Sequence, residues 1–196
     1  DDVVLYTSVT DHPAGIVYST SAIEVTLEIP DGAKKLELKS YAGTHTWGDE
    51  VVFADAALTA AGTFPAPDDW GPNEYYLSNL EWVSATHGDA TTTKTVQKDH
   101  PFTPGNNGND TKISLLMPDG TIRTFDKGLG TVAASPSIIT YNLTGARVSE
   151  LHTYIGIDRT AAPLDSNHAV VEKVEIVVDD VVLYTSVTDH PAGIVY

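Results

Sequence analysis

The chain has 196 residues, with 27 acidic against 11 basic side chains and a formal net charge of −16 at pH 7. Such a charge argues against nucleic acids and anionic membrane surfaces as partners, because their phosphate groups repel it. The absence of cysteine excludes disulfide bonds and zinc–thiolate sites, and no segment reaches the roughly 18 apolar residues that span a bilayer.

The same eighteen residues occur at both ends of the chain, since residues 1–18 and 179–196 both read DDVVLYTSVTDHPAGIVY. The first predicted strand lies in this repeated segment. Within it, VVLYTSV has the β-branched and aromatic content of a strand. The copies begin at positions 1 and 179, and a fixed period is the signature of repeat architectures. We favour a tandem array of near-identical repeats cut out of phase. A circular permutant with an overlap and a polymer of separate, strand-exchanging chains are the alternatives.

The segments that follow also predict strands and turns. AIEVTLEI alternates apolar and polar residues, which indicates a half-buried strand with Ile23, Val25 and Leu27 on one face. Pro-Asp-Gly turns begin at Pro30 and Pro118, and the second predicts a hairpin. DEVVFADAALTAA is ambiguous between strand and helix. The other predicted strands are KKLELKS, LEWVSA, TKISLLM, TIRTF, SIITYNL, ELHTYIGI and VEKVEIVV.

Many short strands separated by turns predict an all-β fold, a β-sandwich or jelly roll. Residues 62–75, with three prolines, predict a linker. The part before this linker is small for a stand-alone β domain. We therefore interpret residues 1–61 and 76–196 as parts of sandwiches rather than as two complete domains.

The order of several motifs resembles a known family. After the linker come YLSNLEWVSATHG, DKGLGTVAASPSIITYNLTG, LHTYIGIDR and VEKVEIVVDDVVLYTS, whereas STSAIEVTLEIPDGAKKLELKSYAG and GDEVVFADAAL stand near the start. These motifs are similar to those of the NPCBM family, the family 51 carbohydrate-binding modules, but in swapped order. The resemblance implies a galactose-binding-like β-sandwich of the kind attached to bacterial glycoside hydrolases and surface proteins. It also implies an extracellular or cell-surface location.

In that family, sugar recognition is credited to polar residues in loops at one end of the sandwich. The resemblance makes His45, Trp47, Asp49, Glu50 and Asp55 the candidate carbohydrate-binding residues. Sugars are held by directional hydrogen bonds and an aromatic platform, which these residue types supply.

Two family histidines are missing from this sequence, since Val132 replaces one in GLGTVA and Glu50 replaces the other in DEVVFADA. In the second motif, Val52 also replaces a usual aspartate and Phe53 a usual tryptophan. Because valine at positions 132 and 52 replaces side chains that can form hydrogen bonds, we expect weak binding of simple galactosides.

Acidic residues in two segments form a hypothetical calcium site. Calcium prefers about six to eight oxygen ligands, and carboxylates supply them. No EF-hand spacing or paired-histidine motif is present. The candidate ligands are Asp49, Glu50, Asp55, Asp158 and Asp165. No other cofactor is predicted. The sequence contains no nucleophile elbow and no phosphate-binding loop, so we do not predict an enzyme.

The repeated segment leads to a structural hypothesis, which we favour over a multivalent module for galactose-type glycans. Residues 1–61 would complete the sandwich of one repeat and residues 76–196 would begin the next, so that 76–196 alone would lack strands. Identical repeats or subunits would then join head to tail in an extracellular filament, stalk or adhesin. The predicted assembly residues are Val3, Leu5, Ile23, Val25, Leu27, Trp70, Val181 and Leu183.

Overall fold

A computed structural model describes residues 16–17, 20–42, 50–60, 74–87, 95–102, 112–133, 136–159 and 170–186. These residues form β-strands and one short 3₁₀ helix, Leu77–Asn79, and contain no helix long and apolar enough to cross a membrane. The strands are β1 (Ile16–Val17), β2 (Ile23–Glu28), β3 (Lys35–Ala42), β4 (Glu50–Ala60), β5 (Glu74–Tyr76), β6 (Ser84–Thr86), β7 (Gln97–Lys98), β8 (Ile113–Leu116), β9 (Ile122–Phe125), β10 (Gly128–Val132), β11 (Ser137–Asn142), β12 (Val148–Ile157), β13 (Val170–Val178) and β14 (Val181–Thr185).

Two large sheets form a β-sandwich, as the sequence predicts. Sheet A has the strand order β1-β13-β3-β11-β6, and β14 also pairs with β13. Sheet B has the order β2-β12-β4-β10-β7, and β5 also pairs with β4. The described strand pairs within both sheets are antiparallel, and their inward-facing residues meet in one main core.

Alternation along the strands explains the main core. In β2, Ile23 and Val25 are buried while Glu24 and Thr26 between and after them are more exposed. Leu36 and Leu38 of β3 likewise face inward from sheet A. Burying one such side chain contributes about 1.5–3 kcal/mol of transfer free energy, so the period-two pattern largely determines which face of each strand is inside.

A second, smaller core lies on the outer face of sheet B. The β8–β9 hairpin places Ile113, Leu115 and Phe125 against Val52 and Ala54 of β4, all of them buried. Val51 and Phe53, the alternate residues of β4, belong to the main core instead. Strand β4 is therefore apolar on both faces, which is why its sequence lacks the alternation of a half-buried strand.

Two local predictions are now decided. The ambiguous stretch DEVVFADAALTAA contains a strand, β4, and no helix in its described residues 50–60. The second Pro-Asp-Gly turn forms the predicted hairpin between β8 and β9.

One expectation is corrected by the strand pairing. We expected residues 1–61 and 76–196 to belong to different sandwiches, yet their strands alternate within the same two sheets. Strand β2 pairs with β12, β3 lies between β11 and β13, and β4 lies between β10 and β12. This arrangement closes one sandwich within one chain, because each part supplies the neighbours that the other lacks. The domain boundaries and the connection between successive repeats remain predictions.

The predicted assembly residues occupy different environments. Ile23 and Val25 are buried in the core of their own sandwich, and Leu27 and Leu183 pack against it. Val181 is 59% exposed. Val3, Leu5 and Trp70 lie outside the described residues. Ile23 and Val25 therefore serve the interior of the single chain, which is a consequence of the pairing between β2 and β12.

Candidate functional site

The ends of three neighbouring strands in sheet B meet at one end of the sandwich. Val132, the last residue of β10, pairs with Glu50, the first residue of β4. Val51 pairs with Ile157, the last residue of β12, and Asp158 follows directly. We call this region, together with His87, His100 and Phe102, the loop end. It contains the only carbohydrate-binding candidate from the sequence, Glu50, that the described residues place there.

An aromatic contact closes one side of the loop end. Phe102 packs on Val132, and both side chains are buried. The ring of His87, just after β6, meets the Phe102 ring edge to face with centroids 5.1 Å apart. Val132 is only 3% exposed, so it serves an apolar contact where the family motif has histidine. This is the physical reason for the departure at this position.

The backbone approaches unusually closely beside this contact. A Cβ atom on Gly130 would lie 2.3 Å from the carbonyl oxygen of His100 and 2.6 Å from the amide nitrogen of Phe102. Real side chains do not tolerate such distances to backbone atoms, so only glycine allows the segment carrying His100 and Phe102 to lie against β10. Gly130 thus positions one wall of the loop end.

Asp158 has a structural contact within the loop end. Its side chain is buried, and its Oδ2 accepts a hydrogen bond of 2.8 Å from the backbone amide of Ser114. The backbone amide of Arg159 donates to the carbonyl oxygen of Ser114, also at 2.8 Å. These bonds fasten β8 to the end of β12. The predicted calcium ligand Asp158 therefore already has a backbone donor as a partner.

Asp55 lies away from the loop end. It has a φ angle of 47° and sits at a bulge in β4, where the register with β12 shifts between His152 and Tyr154. Its Oδ2 is 3.5 Å from a guanidinium nitrogen of Arg123. Five residues of strand separate it from Glu50, roughly 16 Å. The structure thus does not bring these two candidates together.

The remaining site candidates, His45, Trp47, Asp49 and Asp165, lie outside the described residues. Along the chain, the first three directly precede Glu50. Within the described ranges, no group of three or more histidine, aspartate or glutamate side chains is arranged to hold a metal ion. The calcium site remains a prediction.

A second polar group, which sequence reasoning missed, lies on the outer face of sheet B. Glu24 of β2 accepts a hydrogen bond of 2.8 Å from the Tyr154 hydroxyl at Oε1, and that same atom lies 3.0 Å from His152 Nε2. The Arg123 guanidinium stacks over the rings of Tyr154 and Phe125, 5.1 and 4.6 Å from their centroids. We call Glu24, His152, Tyr154 and Arg123 the outer-face cluster.

The electrostatics of the outer-face cluster follow from these contacts. The hydrogen bonds from His152 and Tyr154 lower the pKa of Glu24 from its ordinary value of 4.5. Burial, and then the bond to Glu24, raise the pKa of Tyr154. Alternation places Glu24, His152 and Tyr154 on the polar faces of their strands. The pairing register of β2 with β12 was the missing information, since it brings them side by side.

Comparisons with known proteins place the chain in a family. Residues 73–192 match the NPCBM/NEW2 domain family. A blood-group-substance endo-1,4-beta-galactosidase from Clostridium perfringens is 54% identical over 123 residues, 63% of this chain and 15% of the enzyme. Tandem CBM51 modules from the family 98 glycoside hydrolase of Streptococcus pneumoniae are 29% identical, with a TM-score of 0.47 over 87% of this chain and 68% of theirs.

The chain thus spans a small part of the length of the clostridial enzyme. The resemblance found in the sequence motifs is confirmed, because the matched residues 73–192 make up more than half of the chain. The chain belongs to the NPCBM/NEW2 domain family.

Proposed function

We propose that the chain is a non-catalytic carbohydrate-binding module that recognises galactose-type glycans outside the cell or on its surface. The observation that carries this proposal is the family match over residues 73–192. The 54% identity to part of an enzyme whose name specifies a blood-group-substance galactosidase supports the choice of sugar.

We assign glycan binding to the loop end. Glu50 supplies a half-buried carboxylate, an acceptor for the paired hydroxyls of a sugar ring. Trp47, which precedes it by three residues, supplies the aromatic surface that a sugar face requires. Phe102 is buried against Val132 and instead supports the wall of the site. His45, Asp49 and Glu50 complete the proposed polar set, and Asp55, which contacts Arg123, is not retained in it.

The composition of the site favours oligosaccharides over single sugars. Val132 has no polar side-chain atom and packs on Phe102, so its side chain offers no hydrogen bond to a ligand. We therefore expect weak binding of galactose and tighter binding of longer galactose-containing chains that contact more of the site. Repetition of the module would raise the avidity for a surface carrying many such glycans.

The carbohydrate-binding hypothesis takes precedence over the filament, stalk or adhesin hypothesis. The latter depended on sandwich cores shared between neighbouring repeats, whereas β2 pairs with β12 of its own chain. Head-to-tail contact between identical repeats is compatible with glycan binding but is not needed for it.

Calorimetric titration with galactose, and then with galactose-terminated oligosaccharides, tests the proposal. We expect Glu50→Gln to weaken oligosaccharide binding at least tenfold, since it removes the charged acceptor while keeping the side-chain size. Glu24→Gln, the same change in the outer-face cluster, is the matched control and should bind like the wild type. A second assay, with the protein immobilised at high density, detects weak binding through avidity. If no galactose-containing glycan binds in either assay, the proposed function is wrong. Equal binding by wild type and Glu50→Gln would contradict the site.

A further inference from the structure

One edge of β13 pairs with segments from both copies of the repeated sequence. The other edge of β13 pairs with β3 along most of its length. The shared edge pairs with β14, from the second copy, at residues 175–178, and with β1, from the first copy, at residues 170–171. Two distant parts of the chain therefore divide one edge between them.

The strand direction and the order of the partner residues along β13 are those that a single copy of the repeated segment would give. Both β14 and β1 run antiparallel to β13. Going along β13 from its end to its start, the partners are residues 181–185 and then residues 16–17. In terms of the repeated segment these are its positions 3–7 followed by its positions 16–17, because residues 179–196 repeat residues 1–18. One copy laid along the edge would meet the same partners in the same order.

The part of the edge held by β14 makes specific contacts, and we call it the edge slot. Tyr184 is 1% exposed and belongs to the main core. The Ser186 amide donates to the Val174 carbonyl at 2.9 Å, and Ser186 Oγ accepts from the Val174 amide at 2.8 Å. The first copy has Tyr6 and Ser8 at the corresponding positions, so its side chains can satisfy the same partners.

The first copy is long enough to reach the edge slot. Ile16 pairs with Val171, three residues from Val174 along β13, which is roughly 10 Å. Residues 9–15 join Ser8 to Ile16 and can span roughly 25 Å when extended. The chain thus has slack to place Ser8 opposite Val174 without moving β1.

We propose that the edge slot accepts either copy of the repeated segment, with residues 3–8 of the same chain as the alternative occupant of the place held by residues 181–186. The two occupants carry the same side chains, because their sequences are identical. They differ in their connections, because the second copy enters through the Asp179–Asp180 turn and the first through its link to β1. The sandwich therefore carries a spare copy of a strand that contributes a core tyrosine.

Thermal unfolding of three variants tests the redundancy. Tyr184→Ala should lower Tm by only about 3 °C, because the first copy restores a buried tyrosine and loses only the advantage of the short turn that holds the second copy. Tyr6→Ala should leave Tm unchanged. The double variant has no tyrosine for the slot and should lose about 10 °C, as expected for a large side chain deleted from a core of this size. A Tyr184→Ala variant that loses as much as the double variant, or fails to fold, would overturn the proposal.

Two further measurements decide which molecule supplies the strand. The Tm of Tyr184→Ala should be independent of protein concentration, since the replacement comes from the same chain. A Tm that rises with concentration would show exchange between molecules and overturn the intramolecular form. A synthetic peptide with the sequence of residues 1–18 should raise the Tm of the double variant, whereas the peptide carrying Tyr6→Ala should not. Equal effects of the two peptides would contradict the slot assignment.

Discussion

Two carboxylates, one at the loop end and one in the outer-face cluster, join neighbouring strands in different environments. Asp158 is 0% exposed and accepts a hydrogen bond from the backbone amide of Ser114. Glu24, whose side chain is 45% exposed, accepts its bond from the side chain of Tyr154 and lies beside His152. Both link β-strands that are distant in sequence.

The difference lies in what happens when each contact is lost. Water can replace the partners of a half-exposed carboxylate such as Glu24, so its hydrogen bonds contribute little net stability. Water is excluded around Asp158, so its removal would leave a backbone amide without a partner. The contacts of the outer-face cluster thus contribute little to the free energy of unfolding, whereas water cannot replace the Asp158 contact at the loop end.

The largest expected effect is at Gly130, where backbone crowds the loop end. Gly130→Ala should lower the free energy of unfolding by about 3 kcal/mol, because the new methyl group would meet the backbone of residues 100–102. Gly156→Ala is the matched control, since the nearest atom to its methyl group would be a side-chain methyl of Leu115, at 2.9 Å, and the nearest backbone atom, the Cα of Ala22, would lie at 3.6 Å. We expect it to cost about 1 kcal/mol. Urea unfolding of both variants measures the difference, and equal losses would show that the 100–102 segment moves aside.

The next effect concerns Asp158. Asp158→Ala should cost about 2 kcal/mol, since the Ser114 amide loses its acceptor, and Asp158→Asn, which keeps a carbonyl oxygen, about 1 kcal/mol. Urea unfolding gives both values. The wild type should show the same midpoint with and without EDTA. A midpoint that falls in EDTA only when Asp158 is present would instead make this residue a calcium ligand, as the sequence hypothesis holds.

The two Pro-Asp-Gly turns show how far the sequence alone can predict the fold. Both turns form, with positive φ angles of 76° at Gly32 and 82° at Gly120 that favour glycine. The second turn joins the hairpin strands β8 and β9, whereas the first carries the chain from β2 in sheet B to β3 in sheet A. Local chemistry therefore predicts the turn but not the sheet that the following strand joins.

The same limit explains the candidate site. Alternation predicts that Glu24 faces outward from β2, but the contact with His152 and Tyr154 depends on a register between strands more than a hundred residues apart in the chain. Likewise, Asp55 and Glu50 are close in sequence, and the extended conformation of β4 separates them. The family resemblance identified Val132 as a departure, and only the packing of Phe102 gives its physical reason.

The smallest expected effect is at Glu24, and it depends on pH. The folded-state pKa of Glu24 lies below the ordinary value of 4.5, so folding favours the charged form. Its contribution to stability is fully present above that value and is lost as the pH falls through the folded-state pKa. Because the side chain is half exposed, we expect Glu24→Gln to cost only about 0.5 kcal/mol at neutral pH.

The variant and the wild type should then converge as the pH falls below 4.5 and through the lowered folded-state pKa of Glu24, because protonation removes the same charge that the substitution removes. Thermal unfolding over this range measures the convergence. Glu28→Gln, at an exposed position of the same strand, controls for the general loss of negative charge from a chain of net charge −16. A difference between wild type and Glu24→Gln that persists at the lowest pH would mean that shape, rather than charge, determines the contribution of Glu24. The outer-face cluster would then resemble the loop end more closely than its exposure suggests.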